Sequence, residues 1–510
     1  MQEKKRNRLI LIGLMMGLLL SSLDQTVTAT AMPTIIGKLG GLSLYSWVFS
    51  VYMLTGTAAM PLFGRLADLF GRRKIYLLGM GLFIGGSALC GTATTMIQLI
   101  IFRGIQGLGA GALMPLAMTI IGDIYPPDKR GKMQGIFGAV FGISSVAGPA
   151  IGGFITENLD WHWIFFVNLP FGLAAAVILS FVLADRKGAT RPSIDWAGAF
   201  TMTVAIIAFL LVTVFAGGGR TTGTYSWMSP QIIGLIALSI IFTALFIYIE
   251  TKAKEPVMPL FLFKNRTIAV TCITGFFMGV GMFGAITYIP LFVQGVIGVS
   301  PSIAGYILTP MMLSVIIASI VGGFLLSRVR YKPMLIAAMS IMAVGIFLLS
   351  RMGVETGKFE VVVYMIIAGL GMGIMMPVLT IAVQSSVGFQ HRGVATSAMT
   401  FFRSIGGTLG VSIMGAVMTN RMTAGLQDLG RVLPGNIPEQ LSGLGSAQAL
   451  LKPEIRAQMP PALLQGVLEV LTRAINWVFV IALIFVVLGL ISGFFMGNAR
   501  LDKAADKEVA

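Results

Sequence analysis

The chain has 510 residues, 56% of them hydrophobic and only 11% charged, with a formal net charge of +16. Soluble domains carry about 25% charged residues, so this composition excludes a soluble globular protein and predicts an all-α protein crossing a membrane many times. Nor does the positive charge indicate nucleic acid, because it falls in short clusters between apolar runs (Lys4 to Arg8, Arg72 to Lys74, Lys129 to Lys132), the positive-inside bias of membrane topology.

The first apolar segment, Leu9–Ile35, runs on without an A-x-A-like site and reads as a true first span, not a cleaved leader. Its one charge is Asp24, with no other between Arg8 and Lys38. A carboxylate in hydrocarbon is costly unless it faces a partner or a water-filled cavity, which marks Asp24 as an ion- or proton-handling group. Further spans are expected at Tyr45–Leu62, Ile75–Thr92, Met96–Ile121, Met133–Ile155 and Ile164–Leu183. Two more, Trp196–Phe215 and Pro230–Ile249, read as a linker pair. A second six follows at Ile268–Val293, Ile303–Leu326, Met334–Leu349, Val361–Val383, Ala395–Met418 and Trp477–Met496.

That pattern divides the chain into an N-terminal six-helix bundle (1–184), a two-helix linker insertion (185–266) and a C-terminal six-helix bundle (267–510). The charge bias places both termini in the cytoplasm. The long outer stretch at 419–476 is rich in Pro and Gly, holds an amphipathic piece near Leu463–Leu471, and reads as an ordered cap or a floppy loop. Cys90 and Cys272 fall in apolar segments and read as small core hydrophobes rather than a disulfide.

The two sixes repeat. GLGAGALMP at Gly107–Pro115 recurs as GLGMGIMMP at Gly369–Pro377, 262 positions later, and the same offset aligns Arg130 with Arg392, Gly148 with Gly410 and Gly153 with Gly415. Transporters use duplicated halves because two similar bundles can rock about a site at their interface.

Between the second and third spans runs GRLADLFGRRK, from Gly64 to Lys74. Gly64 and Gly71 permit a tight turn between close helices. Asp68, Arg72, Arg73 and, after the fourth span, Arg130 read as gating residues, whose ion pairs and helix-end contacts exist in one conformation only. This stretch resembles the signature G-x-L-a-D-r-x-G-r-k-x of the major facilitator superfamily, departing from it mainly at Leu69. RGIQGLG at Arg103–Gly109 resembles that family's fourth-helix motif, and GISSVAGPAIGG at Gly142–Gly153 its fifth-helix motif associated with antiporters. SLDQTVTATAMP at Ser22–Pro33 resembles the first-helix motif of the fourteen-helix drug:proton antiporters of the EmrB/QacA type, with Thr28 in place of the usual Asn. Trp161–Pro170 and Ser300–Gly305 look like further hallmarks of that branch, with His162 where Arg is usual.

The resemblance implies fourteen transmembrane helices in the major facilitator fold and proton-driven multidrug efflux across the cell membrane by alternating access. No cofactor is implied. ATP hydrolysis is unsupported, since no G-x-x-x-x-G-K-[ST] loop is present. An enzyme is disfavoured, the two histidines, His162 and His391, being placed on opposite sides of the membrane. The partners implied are amphiphilic small molecules, protons and the lipid bilayer, with a monomeric chain and nothing in the sequence that calls for an adaptor. The alternative on the same fold is export of a lipid, a siderophore or another metabolite.

At 1.5 Å per residue, Asp24 lies about 22 Å from the cytoplasmic start of its helix and Arg103 about 10 Å below the outer start of the fourth. The unlike charges are therefore level. In six-helix halves of this family both helices line the cavity, so Asp24 and Arg103 are expected to meet directly or through water, and a conformational change that alters their contact makes proton uptake state-dependent. Under the 262 offset Arg103 corresponds to Met365, while Arg403 stands alone, aligned with Phe141. Arg403 either pairs with carbonyls or an anionic group, or packs with its charge snorkelling. Gly148, Pro149, Gly152 and Gly153 are expected to bend the fifth helix and pack it closely, sealing one half against the other. Candidate cavity residues are Trp47, Tyr52, Gln106, Phe276, Tyr288, Gln294, Met311, Gln384 and Arg403. With Asp123 and Glu250 placed at cytoplasmic ends, no second acid lies mid-membrane, which suggests neutral to monocationic lipophilic substrates over dications.

Overall fold

The computed structural model describes residues 2–40, 44–184, 195–216, 225, 228–253, 255–299, 301–326, 328–432 and 460–497. The first group of helices is α1 (Gln2–Leu39), α2 (Tyr45–Phe70), α3 (Arg72–Cys90), α4 (Met96–Ile124), α5 (Pro127–Asn158), the single turn α6 (Trp163–Phe166) and α7 (Asn168–Val182). α8 (Trp196–Ala216) and α9 (Pro230–Glu250) follow. The second group is α10 (Arg266–Gly295), α11 (Pro301–Leu325), α12 (Tyr331–Leu349), α13 (Lys358–Ser385), α14 (Arg392–Val432) and α15 (Pro461–Phe494).

Local chemistry sets several of the ends. Thr95 caps α4 by accepting from the Gln98 amide at 3.2 Å, and Asn265 caps α10 by accepting from Thr267 at 2.9 Å. Pro127, Pro230 and Pro461 open α5, α9 and α15, where the missing N–H leaves no bond unmade. Pro115 in α4 and its offset equivalent Pro377 in α13 lie inside helices, a placement that membrane helices tolerate.

Among the described residues twelve helices are long and apolar enough to cross a membrane, two fewer than the fourteen spans read from the sequence. The two outside that set are α3, which opens on Arg72-Arg73-Lys74, and α5. The outer stretch also differs from a loop at both ends. α14 continues to Val432 and α15 begins at Pro461, so their apolar faces pair: Met418, Met422 and Leu426 are buried, as are Leu463, Val467 and Leu471 of the amphipathic piece. A Cβ on Gly425 would stand 2.6 Å from Val470, and one on Gly466 2.6 Å from Leu429. Residues 433–459 lie outside the described residues.

The repeated glycines explain the repeat. α4 passes between α2 and α3, and α13 passes in the same way between α11 and α12. A Cβ on Gly107 would sit 2.9 Å from Tyr52 Cα, and one on Gly369 2.7 Å from the Met311 carbonyl oxygen. On the other face, Gly109 would strike Phe83 Cα at 2.8 Å and Gly371 would strike Met342 Cα at 2.7 Å. Bilayer helices lack a hydrophobic drive to associate, so such backbone approaches carry their packing. α8 fits beside α2 and α14, where Met202 and Ile206 pack with Leu54, Ala58, Ala398 and Phe401. α9 leans on α8, with Ser239 donating to the Ala205 carbonyl at 3.0 Å.

One face of the bundle gathers the first turn of α1, the α2–α3 and α4–α5 junctions and the starts of α10 and α14; it is called the basic face below. On the opposite face Lys38 meets Asp160 at 2.8 Å, and His162 contacts the same carboxylate while stacking on Trp161 at 3.8 Å. The Lys38 ammonium, and then His162, hold the Asp160 carboxyl well below the usual carboxylate range. A depressed carboxyl pKa contributes stability above its unfolded value, about 3.9, and loses it as pH falls through the folded one. The group is exposed, so solvent screens the gain. Lys38→Gln is expected to shift the melting temperature by less than about 2 °C at neutral pH, as read by a thermal melt in detergent.

Candidate functional site

Asp24 stands on α1 at 2% exposure and Arg103 on α4 at 0%, and the two form a direct ion pair. The two charges, level by helical rise, meet with no intervening group. The carboxylate is further bound by Gln106 Nε2 at 2.8 Å and by Asn168 Nδ2 at 3.1 Å, both acting on Oδ1. Arg103 also donates to Gln106 Oε1 at 2.9 Å and to the Val48 carbonyl at 3.5 Å, and lies 4.2 Å over the Tyr52 ring. Asn168 is held in turn by Ser87 Oγ at 3.0 Å. Four helices, α1, α2, α4 and α7, thus converge on one buried ion pair.

Chemically this is a charge pair whose anion has three donors and whose cation keeps Nη2 without a partner. A proton arriving on Asp24 removes the anion and leaves the guanidinium with Gln106, one carbonyl and a ring. Burying an ion whose partner is lost is strongly unfavourable, so protonation must be accompanied by rearrangement or rehydration.

A second assembly sits at the basic face and joins the two groups of helices. Asp68 accepts from the backbone N–H of Gly393 at 3.0 Å and of Val394 at 2.7 Å, and pairs with Arg72. Arg72 reaches Asp123 at 3.1 Å and the Phe389 carbonyl at 3.3 Å. Gly64 faces Ser397 Cβ, where an added Cβ would stand 2.5 Å away, and Gly71 turns the chain with φ +98°, a conformation that favours glycine. Arg73 makes no hydrogen bond or ion pair among the described residues. Arg130 caps α4, donating to Gly122 at 2.6 Å and Tyr125 at 2.9 Å, so it fastens its own group of helices. Its equivalent Arg392 instead lies 3.8 Å from Asp123 across the interface.

In α5, Gly148 approaches α1 so closely that a Cβ would lie 2.5 Å from Thr26 Cβ, and Gly152 would meet the Val27 carbonyl oxygen at 3.0 Å. Gly153 has open space beside it, and the Pro149 side chain lies outside the described residues. Gly148→Ala is expected to cost about 1–3 kcal/mol by overpacking, seen as a lower melting temperature. Thr26→Gly in the same chain should recover part of the loss.

The cavity candidates fall in several settings. Tyr52 and Gln106 are buried in the shell of the ion pair. Met311 is fully buried against Gly369, Tyr288 donates to the Val411 carbonyl at 3.0 Å, and Trp47 packs edge-on to Phe215 at 5.4 Å. Phe276 contacts Phe277 at 5.4 Å, and Gln294 is half-buried. Gln384 crosses the interface to the Met118 carbonyl at 3.1 Å. Arg403 lies between Met376 and Met114. The sequence reading omitted Asn168 as a site residue, although a lone amide within IFFVNLPFG was signal enough. It also did not foresee the Gly393 and Val394 amides, because backbone donors leave no trace in a side-chain pattern.

The sequence profile of the Major Facilitator Superfamily matches residues 14–411. Two relatives from Bacillus subtilis (strain 168) align over nearly the whole chain. Multidrug transporter protein MdtP is 43% identical, across 99% of this chain and 96% of its own. Multidrug resistance protein 3 is 40% identical, across 99% and 98%. Among solved structures the proton:xylose symporter XylE superposes with a TM-score of 0.63 over 98% of this chain and 97% of that one, at 14% identity, a likeness of fold alone. The helical architecture, the repeated close approaches and these matches place the chain in one family: it belongs to the Major Facilitator Superfamily, and it is a multi-pass membrane transporter and not an enzyme.

Proposed function

We propose that the chain is a drug:proton antiporter of the fourteen-helix EmrB/QacA branch, exporting lipophilic compounds across the cell membrane with the proton gradient, and not ATP, as its source of energy. The observation that carries this reading is the buried Asp24–Arg103 pair with Gln106 and Asn168 on the same carboxylate. A single titratable anion at that depth, tied to a cation on another helix, lets a proton and a conformational change compete for one group. The names of the two Bacillus relatives support drug efflux.

In this reading the basic face is cytoplasmic, with both termini there. Residues 1–184 and 267–510 are the two bundles that rock, 185–266 is the linker insertion, and the Asp68 assembly is the closed inner gate. The chain works as a monomer. The test is a proteoliposome assay with an imposed pH gradient and a panel of lipophilic fluorescent substrates, neutral and monocationic. Gradient-driven accumulation that depends on Asp24 supports the reading; accumulation indifferent to the gradient sinks it.

A further inference from the structure

Among the described residues six arginines are buried: Arg65, Arg72, Arg103, Arg130, Arg392 and Arg403. The first five have oxygen partners. Arg65 pairs with Glu255, Arg72 with Asp68 and Asp123, Arg103 with Asp24 and Arg392 with Asp123, while Arg130 donates to two carbonyls. Arg403 differs. It is 4% exposed, its Nη1 lies 3.1 Å from Met376 Sδ and its Nη2 3.6 Å from Met114 Sδ, and it donates to no oxygen among the described residues.

A thioether is a weak acceptor, and a guanidinium offers five N–H donors in a planar fork. Two sulfur contacts leave most of that capacity unused. An ionisable side chain inside the membrane is expected to pair, or to serve a substrate pathway, and this one has no pair among the described residues. Its place favours the second. Arg403 lies about 16 Å along α14 from the basic face and Met114 about 15 Å along α4. The guanidinium therefore sits mid-bundle on the seam, touching α4 of one group and α13 of the other. Met60 of α2 is adjacent, with the Ser404 hydroxyl 3.8 Å from its Sδ. Methionine walls are polarisable and adaptable, so the surroundings of this cation can re-form around an apolar body of varied shape.

We propose that Arg403 is the anion-recognising residue of the transport site. The molecule carried presents a carboxylate to the Arg403 guanidinium and rests its apolar body on Met60, Met114 and Met376. The inference depends on the export reading above and changes its substrate class, from neutral or monocationic compounds to carboxylate-bearing amphiphiles. A carboxylate matches the guanidinium fork in two parallel charge-assisted hydrogen bonds, which displace the weaker sulfur contacts. Because methionines of both groups of helices surround the fork, the carboxylate is fully held only while the seam is closed around it. Recognition and rocking are thereby linked.

A rhodamine free acid and its methyl ester test this directly, since they share one apolar body and differ in the carboxylate. Binding of each is measured by fluorescence polarisation on the purified protein in detergent, alongside gradient-driven transport in proteoliposomes. Wild type is expected to prefer the acid, and the acid-to-ester binding ratio should fall about tenfold or more in Arg403→Gln and recover in part in Arg403→Lys. A ratio unchanged by Arg403→Gln overturns the proposal. So does equal or weaker binding of the acid by wild type, a measurement that decides the matter even if the variants do not fold. Binding selectivity without gradient-driven transport would sink the antiport reading and spare this one.

Discussion

Asp24→Asn is expected to abolish gradient-driven accumulation while leaving substrate exchange across the membrane measurable. Asparagine keeps the shape of the side chain and can still meet Gln106 and Asn168, but it neither carries charge nor takes a proton. With one proton exchanged per substrate, wild type should concentrate substrate about tenfold per pH unit of gradient, at about 1.4 kcal/mol per tenfold; the variant should show none. Counterflow, in which labelled substrate enters against unlabelled, needs only binding and alternation and serves as the control. Full gradient-driven accumulation by Asp24→Asn would falsify the coupling role.

The same substitution strands the Arg103 charge, and removing one partner of a buried pair costs about 3–5 kcal/mol. A drop in melting temperature is therefore expected as well. Arg103→Gln added to Asp24→Asn should restore much of the thermal stability, as coupled residues do in a double-mutant cycle, and should restore none of the accumulation. That split separates the residue's part in holding the helices from its part in moving protons.

Asp68→Asn should produce the second large effect, at the other end of the molecule. The carboxylate holds the Gly393 and Val394 amides and Arg72 at once. Hydrogen bonds to a charged group contribute about 1.5–3 kcal/mol each, so losing two shifts the closed-to-open equilibrium of the basic face by about 100-fold or more. Ser397 offers the readout: it is fully buried against Gly64 and its hydroxyl makes no hydrogen bond. A Ser397→Cys reporter sacrifices nothing there, and the native Cys90 and Cys272 are both buried. Its alkylation by a maleimide should be at least about tenfold faster once Asp68 is Asn. Equal rates, with transport lost, would mean that Asp68 acts on something other than closure.

What the sequence disclosed and what it hid follow from the kind of interaction concerned. Asp24 and Arg103 were legible because an ion in hydrocarbon is conspicuous and because helical rise converts position into depth. The Gly107 and Gly369 stretches were legible because a backbone approach excludes every side chain larger than hydrogen, and so constrains residue type. Gln106 and Tyr52 were recognised as polar or aromatic in the right region, but not as the shell of the ion pair. Their orientation about the helix axis puts them against Asp24 and Arg103, and pattern alone does not distinguish a cavity wall from the shell of an ion pair. Span boundaries failed where hydrophobicity stopped but helix did not. Thr419 to Val432 is too polar to be a membrane segment, yet it continues α14 because its apolar edge packs on α15.

That continuation has a mechanical consequence. α14 is 41 residues long, about 60 Å at 1.5 Å per residue. It carries at its first turn the amides that Asp68 grips. Tilting as a rod about its middle, it moves both tips at once, each by about 0.5 Å per degree. With α15 laid alongside through Gly425 and Gly466, the rod is doubled and stiffened. A tilt that pulls the gripped turn away from Asp68 and breaks its two amide hydrogen bonds is then delivered at the opposite face as a displacement of like size.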